Sequence, residues 1–157
     1  MQHAQIIHIA GTLDWPVAQE RASALTEAQL QRYRVFPYLD DDFITALSAA
    51  DIVIARAGAA TLGEFPALGL PAILVPLPIS GGHQFPNAAY LVDHNAAVIV
   101  DDAEMDTLLL PAILELVHDE DRLTAMSVAS AALARPDAAD RIAQAILHLA
   151  RERVTMP

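Results

Sequence analysis

DIVIARAGAATLGEFPALGLPAILVPLP, residues 51–78, decides how the chain folds. It opens on an apolar run from Asp51 to Ala55, passes through the small-residue turn Gly58-Ala59-Ala60, and continues with helix-compatible spacing from Ala60 to Leu68. Gly69 stops that helix, and Ala72 to Val75 follows as a run without a polar residue. A strand that is apolar at every position must be covered on both faces. Strand, helix and strand joined by short loops make a right-handed crossover between parallel strands. The expectation is an α/β fold with a Rossmann-like parallel sheet and helices on both faces.

The same grammar extends in both directions. Upstream, Gln5 to Ile9 reads as a strand, Ala18 to Gln31 as a helix of good helix formers, and Arg34 to Tyr38 as a strand. Asp40 to Asp42 supply candidate capping side chains for a helix marked by Phe43, Ile44 and Leu47. Downstream, Asn87 to His94 reads as a helix and Ala97 to Val100 as a strand. From Asp102 onward the pattern is helical: Leu110, Ile113, Leu114 and Val117 share one face, Arg122 to Leu133 forms a second segment, and Ile142, Ile146 and Leu149 mark a third. No linker or repeat divides the chain, so a single domain over 1–157 with a helical C-terminal segment is expected. The first strand begins almost at once and without a cap, in the manner of a fragment.

Composition narrows the chemistry. With 54% hydrophobic and 18% charged residues among 157, the chain is too apolar for wholesale disorder. Its net charge of −11 argues against wrapping nucleic acid or adhering to an anionic membrane by charge alone, so any phosphate must be met locally. Lysine and cysteine are both absent, which removes P-loop lysines, Schiff bases, thiolate nucleophiles, disulfides and zinc-thiolate sites. No window has the length and apolarity of a membrane span or the form of a signal peptide, and a cytoplasmic location is expected.

Two segments have the form of a ligand site at strand ends, where helix N-termini present free amides. In the first, Gly58, Ala59 and Ala60 leave room for a phosphate against the backbone, Thr61 adds a hydroxyl, and Glu64 lies where it can accept from a vicinal diol. Close helix–sheet packing calls for the same small residues, and spacing alone does not separate the two. In the second, His83, Gln84 and Asn87 crowd the start of a helix after a Pro/Gly loop. A capped helix with a surface histidine is the simpler reading of that segment taken by itself.

Together, ADIVIARAGAATLGE, ALGLPAILVPLP and HQFPNA, in that order, resemble the C-terminal half of the GT-B glycosyltransferases of the MurG type, which transfer N-acetylglucosamine from UDP-GlcNAc to lipid I in peptidoglycan synthesis. The resemblance runs from Ile6 to Val100 and is dense from Tyr33 to Asn87. It implies a UDP-sugar donor domain with its first strand missing. Gly58, Ala59 and Ala60 would face the diphosphate, with Thr61 beside it and Glu64 on the ribose. His83, Gln84 and Asn87 would meet the sugar, and Tyr38 and Leu39 the uracil. Arg56 would buttress the turn. No catalytic residue, metal or cofactor is implied for this half. The acceptor-binding N-terminal domain would be separate, and the full enzyme would work at the inner face of the membrane.

Three departures from the family pattern stand out. Its GGSxG loop has no counterpart from Gln2 onward, Pro66 interrupts the helix after Glu64, and Ser80-Gly81-Gly82 lacks the acidic residue often found before HQ. A stand-alone nucleotide-sugar binder, a partner subunit of a two-chain GT-B enzyme and a transferase using another UDP-hexose are the alternatives. Self-pairing into a homo-oligomer through an exposed sheet edge is a further expectation.

Overall fold

The computed structural model describes residues 4–78 and 81–154. Five strands alternate with helices: β1 (Ile6–Ile9), α1 (Gly11–Ser23), α2 (Glu27–Leu30), β2 (Tyr33–Phe36), α3 (Phe43–Ser48), β3 (Val53–Ala55), α4 (Thr61–Leu68), β4 (Ala72–Leu74), α5 (Gln84–Asp93) and β5 (Ala97–Ile99). A 3-10 turn (Asp102–Glu104) then leads into α6 (Met105–Val117), α7 (Glu120–Ala132) and α8 (Ala138–Val154). Every pairing is parallel. The strands fall into two sheets, β1-β2 and β3-β4-β5, where one was expected.

The core is built on β4. Ala72 and Leu74 face a cluster made by Leu47 of α3, Phe65 of α4, and Ala88 and Leu91 of α5. Ile73 and Val75 face the opposite cluster, made by Leu116 of α6 and Met126 of α7. All of β4 is buried, as its unbroken apolar sequence requires. Helices therefore cover both faces of this sheet. β1 is apolar apart from His8 but exposed at every residue, with Ile7 at 48%.

Local chemistry sets the helix ends, and two expectations are corrected there. The helix expected over 18–31 is two helices: α1 starts at Gly11 and ends at Ser23, and α2 starts after Thr26. Thr26 and Gln29 form a capping box, each accepting from the other's backbone amide, and this reciprocal pair starts a new helix instead of continuing the old one. Asp42 occupies the N-cap position of α3, yet its backbone is already helical and its side chain makes no capping bond; Phe43 N–H donates to Asp40 C=O instead. α4 is short, as Pro66 predicts, and Gly69 ends it at φ 61°. Ser127 and Ser130 of α7 donate to the carbonyls of Gly69 and Leu70 at 2.7 and 3.2 Å, satisfying groups that the helix end leaves free. Among the described residues no helix is long and apolar enough to cross a membrane.

A side chain at Gly69 would be strained by its positive φ and would meet Ala131 Cβ at 3.3 Å. Gly69→Ala is expected to lower unfolding free energy by about 1–2 kcal/mol, read from urea denaturation, with Gly63→Ala, whose added Cβ meets open space, as the tolerated control.

Candidate functional site

Parallel strands end at a common edge, so the residues that follow β3, β4 and β5 are brought together there. Arg56 follows β3 directly. Its guanidinium donates to Val75 C=O at 3.1 Å, at the end of β4, and pairs with the Asp102 carboxylate just beyond β5. One side chain thus fastens three strand ends. Asp102 is the partner that sequence reasoning missed; its signal was its place immediately after the last strand, at the same edge as Arg56.

The β3–α4 turn is held from its other side by Asn87, whose Nδ2 donates to the carbonyl of fully buried Ala57 at 3.0 Å. Thr61 is 7% exposed and donates its hydroxyl to Gly58 C=O at 2.5 Å, so it clamps the turn from within instead of projecting from it. The amides of Thr61, Leu62, Gly63 and Glu64 bond back to Gly58, Ala59 and Ala60 carbonyls. Those of Gly58, Ala59 and Ala60 donate to no carbonyl among the described residues. A Cβ built on Gly58 meets nothing within 4 Å, so the space in front of the turn is open. Three unengaged amides at the start of a helix, with its positive dipole end behind them, are an arrangement that can receive an anion.

Glu64 is half-buried, one turn into α4, and its carboxylate has no hydrogen-bond or ion-pair partner among the described residues. The second segment supplies α5. Gln84 and Asn87 share its face, as their spacing predicts, but each is already engaged: Gln84 Oε1 accepts from Leu77 N–H at 2.9 Å, joining the β4 exit loop to the helix. The Gln84 amide nitrogen keeps its donor capacity, whereas Asn87 serves the turn. His83 is exposed at the N-cap position and makes no capping bond. Ser80, in the loop before it, lies outside the described residues.

Tyr38 and Leu39 line a cleft of about 420 Å³ beyond β1 and β2, with Ile9, Asp40, Asp41 and Phe43 as the other walls. Tyr38 is 64% exposed, a large aromatic face turned to solvent. Phe43 joins this cleft to the rest of the site, because it also packs on the core cluster that contains Ala57. Among the described residues no group of histidine, aspartate and glutamate side chains has the arrangement of a metal site.

Strand order, crossover helices and loop positions define a doubly wound α/β domain of the Rossmann class. The chain belongs to the Glycosyltransferase family 28 C-terminal domain family, whose model matches residues 1–142. It is 41% identical over 151 residues to the UDP-N-acetylglucosamine--N-acetylmuramyl-(pentapeptide) pyrophosphoryl-undecaprenol N-acetylglucosamine transferase of Mycolicibacterium smegmatis, a match covering 93% of this chain and 37% of that protein. The protein of the same name from Parabacteroides distasonis is 42% identical over 125 residues, covering 76% of this chain and 34% of the relative. The crystal structure of Acinetobacter baumannii MurG superposes with a TM-score of 0.77 at 31% identity, over 92% of this chain and 43% of that one. The chain thus spans little more than a third of the length of the curated relatives it matches.

Removing the Asn87 amide strands the buried Ala57 carbonyl. Asn87→Ala is expected to cost about 1–3 kcal/mol of stability, measured by denaturant titration. A loss within error would mean that water or a neighbouring donor satisfies that carbonyl as well.

Proposed function

We propose that this domain binds the UDP-sugar donor of a glycosyltransferase, UDP-GlcNAc by analogy with the relatives' names, and presents it to a lipid-linked acceptor held by polypeptide outside the chain. The observation that carries the reading is the turn at Gly58-Ala59-Ala60, with its three unengaged amides and open approach. The diphosphate rests on those amides. No metal is required there, because the helix dipole and amide protons supply the positive potential and no carboxylate lies in the turn itself. Glu64, unpartnered and half-buried, accepts from the ribose hydroxyls. Tyr38 and Leu39 take the uracil in the cleft beyond β2. Gln84, donating through its free amide nitrogen, and His83 beside it meet the sugar.

Within this division of labour the domain holds and orients the donor, and transfer needs the acceptor side. Most of the barrier reduction in such a transfer comes from positioning both substrates and from a catalytic base. The acceptor named for the relatives is an undecaprenol pyrophosphate, so on this reading the complete enzyme meets it at a membrane surface, on the inner face. The net charge of −11 gives this domain no electrostatic pull toward that surface.

Glu64→Gln keeps shape and one acceptor oxygen while removing charge. Losing charge-assisted bonds to two hydroxyls is expected to weaken UDP binding tenfold or more, on the order of 1.5–3 kcal/mol, by isothermal titration. The melting temperature should stay near the parent's, and 2′-deoxy-UDP should show little further loss on the variant. Unchanged UDP affinity would return Glu64 to a helix-dipole role.

Gly58→Val tests the turn directly. Its Cβ meets open space, so the fold should tolerate the side chain while UDP affinity falls at least fivefold. A collapse of affinity in EDTA that magnesium or manganese restores would instead place a metal at the diphosphate.

A further inference from the structure

Arg56 is the only arginine between Arg34 and Arg122, and the chain has no lysine. It is therefore the one permanent cation in the stretch that carries β3, β4 and β5. Two peptide units separate its Cα from that of Gly58, a span of at most about 7.6 Å. Its guanidinium reaches Val75 C=O at the exit of β4, and two residues further on Leu77 N–H is held by Gln84. The cation borders both the Gly58 turn and the loop that Gln84 anchors.

What this cation does to a diphosphate depends on Asp102. Arg56 Nη1 donates to Val75 C=O and to the Asp102 carboxylate, while Nε and Nη2 have no partner among the described residues. Donor capacity is left over, but the charge behind it is matched by a carboxylate. The adjacent acid does something else. Asp101 accepts from Ala103 N–H at 2.9 Å and caps the 3-10 turn, fixing the backbone from which Asp102 reaches across to Arg56. The paired side chains are 44% and 30% exposed, and an ion pair so open to water adds little to stability. Its consequence lies in the local potential.

UDP and a UDP-sugar differ in charge at the group this potential acts on. A terminal phosphate has a second ionisation at about pH 6, so at neutral pH UDP carries close to one more negative charge than UDP-GlcNAc. A lone cation beside the turn would favour UDP, the nucleotide left after transfer, over the donor. We propose that Asp102 is a positioning residue that tethers Arg56 and cancels its charge, so that charge gives UDP no advantage over the UDP-sugar and the spent nucleotide can leave. Resting on the donor-site reading, this role sets selectivity between donor and product.

Isothermal titration of UDP and UDP-GlcNAc into the parent chain, Asp102→Asn and Asp102→Asn/Arg56→Gln, at about 20 and about 300 mM salt, tests the assignment. Asparagine keeps an acceptor oxygen for Arg56 and loses only the charge. Asp102→Asn is expected to tighten UDP about threefold or more at low salt, to tighten UDP-GlcNAc less, and to lose most of both gains at high salt. The double variant, with neither charge, should return to within about twofold of the parent. In the parent the ratio of the two affinities should change by less than about twofold between the salt concentrations, a readout that needs no substitution. Equal, salt-independent weakening of both ligands by Asp102→Asn would reduce Asp102 to a loop anchor and overturn the assignment. So would unchanged affinities, or a gain that persists in the double variant, since its source would then not be Arg56. A parent chain that binds neither ligand would overturn the donor-site reading itself, and this role with it.

Discussion

A parallel strand covered on both faces can hold no polar side chain, and β4 obeys this at every residue from Ala72 to Leu74. Its two faces nucleate the two core clusters, one under α3, α4 and α5 and the other under α6 and α7. Because neighbouring strands run parallel, each connection must return across a face of the sheet, and the loops at the carboxyl edge are left without covering helices. The candidate site is thus a by-product of burying β4: it occupies the edge that crossover helices leave open.

At that edge the polar side chains work on backbone before they can work on any ligand. Arg56, Thr61, Gln84 and Asn87 spend bonds on Val75, Gly58, Leu77 and Ala57. Each holds a loop peptide outside the helices and strands. The turn is rigid for the same reason that it is unsaturated. Preorganised amides need no rearrangement to receive an anion, which is where such sites gain over solvent.

The sequence was most informative where apolar runs must be buried and least where polar groups choose among partners. β3, β4 and β5 follow from runs with no alternative face to present, and their expected limits differ from the observed ones by a residue or two. The break at Ala24–Thr26 was written in Thr26 and Gln29, yet good helix formers on both sides outweighed it on propensity alone. Spacing puts His83, Gln84 and Asn87 in one polar cluster, and the Asn87 amide nitrogen donates to Ala57, thirty residues earlier in the chain. Spacing on one helix places side chains on a face. It cannot say which distant carbonyl will lie opposite that face.

Charge gives the last constraint. Arg56 is the cation nearest the turn in sequence, and its pairing with Asp102 largely cancels its field toward a phosphate. On a domain with a net charge of −11, the local positive potential at the turn therefore comes from its amides and the helix dipole. Dipole fields fall off within a turn or so of the helix end, whereas the repulsion from distant carboxylates is screened over about 8–10 Å of salt solution. The anion is attracted only once it is nearly seated, so this architecture favours a ligand that also carries an apolar, stackable base to bring it within range. Under the proposed function that base falls to the cleft at Tyr38 and Leu39, which Phe43 links to the core that carries the turn.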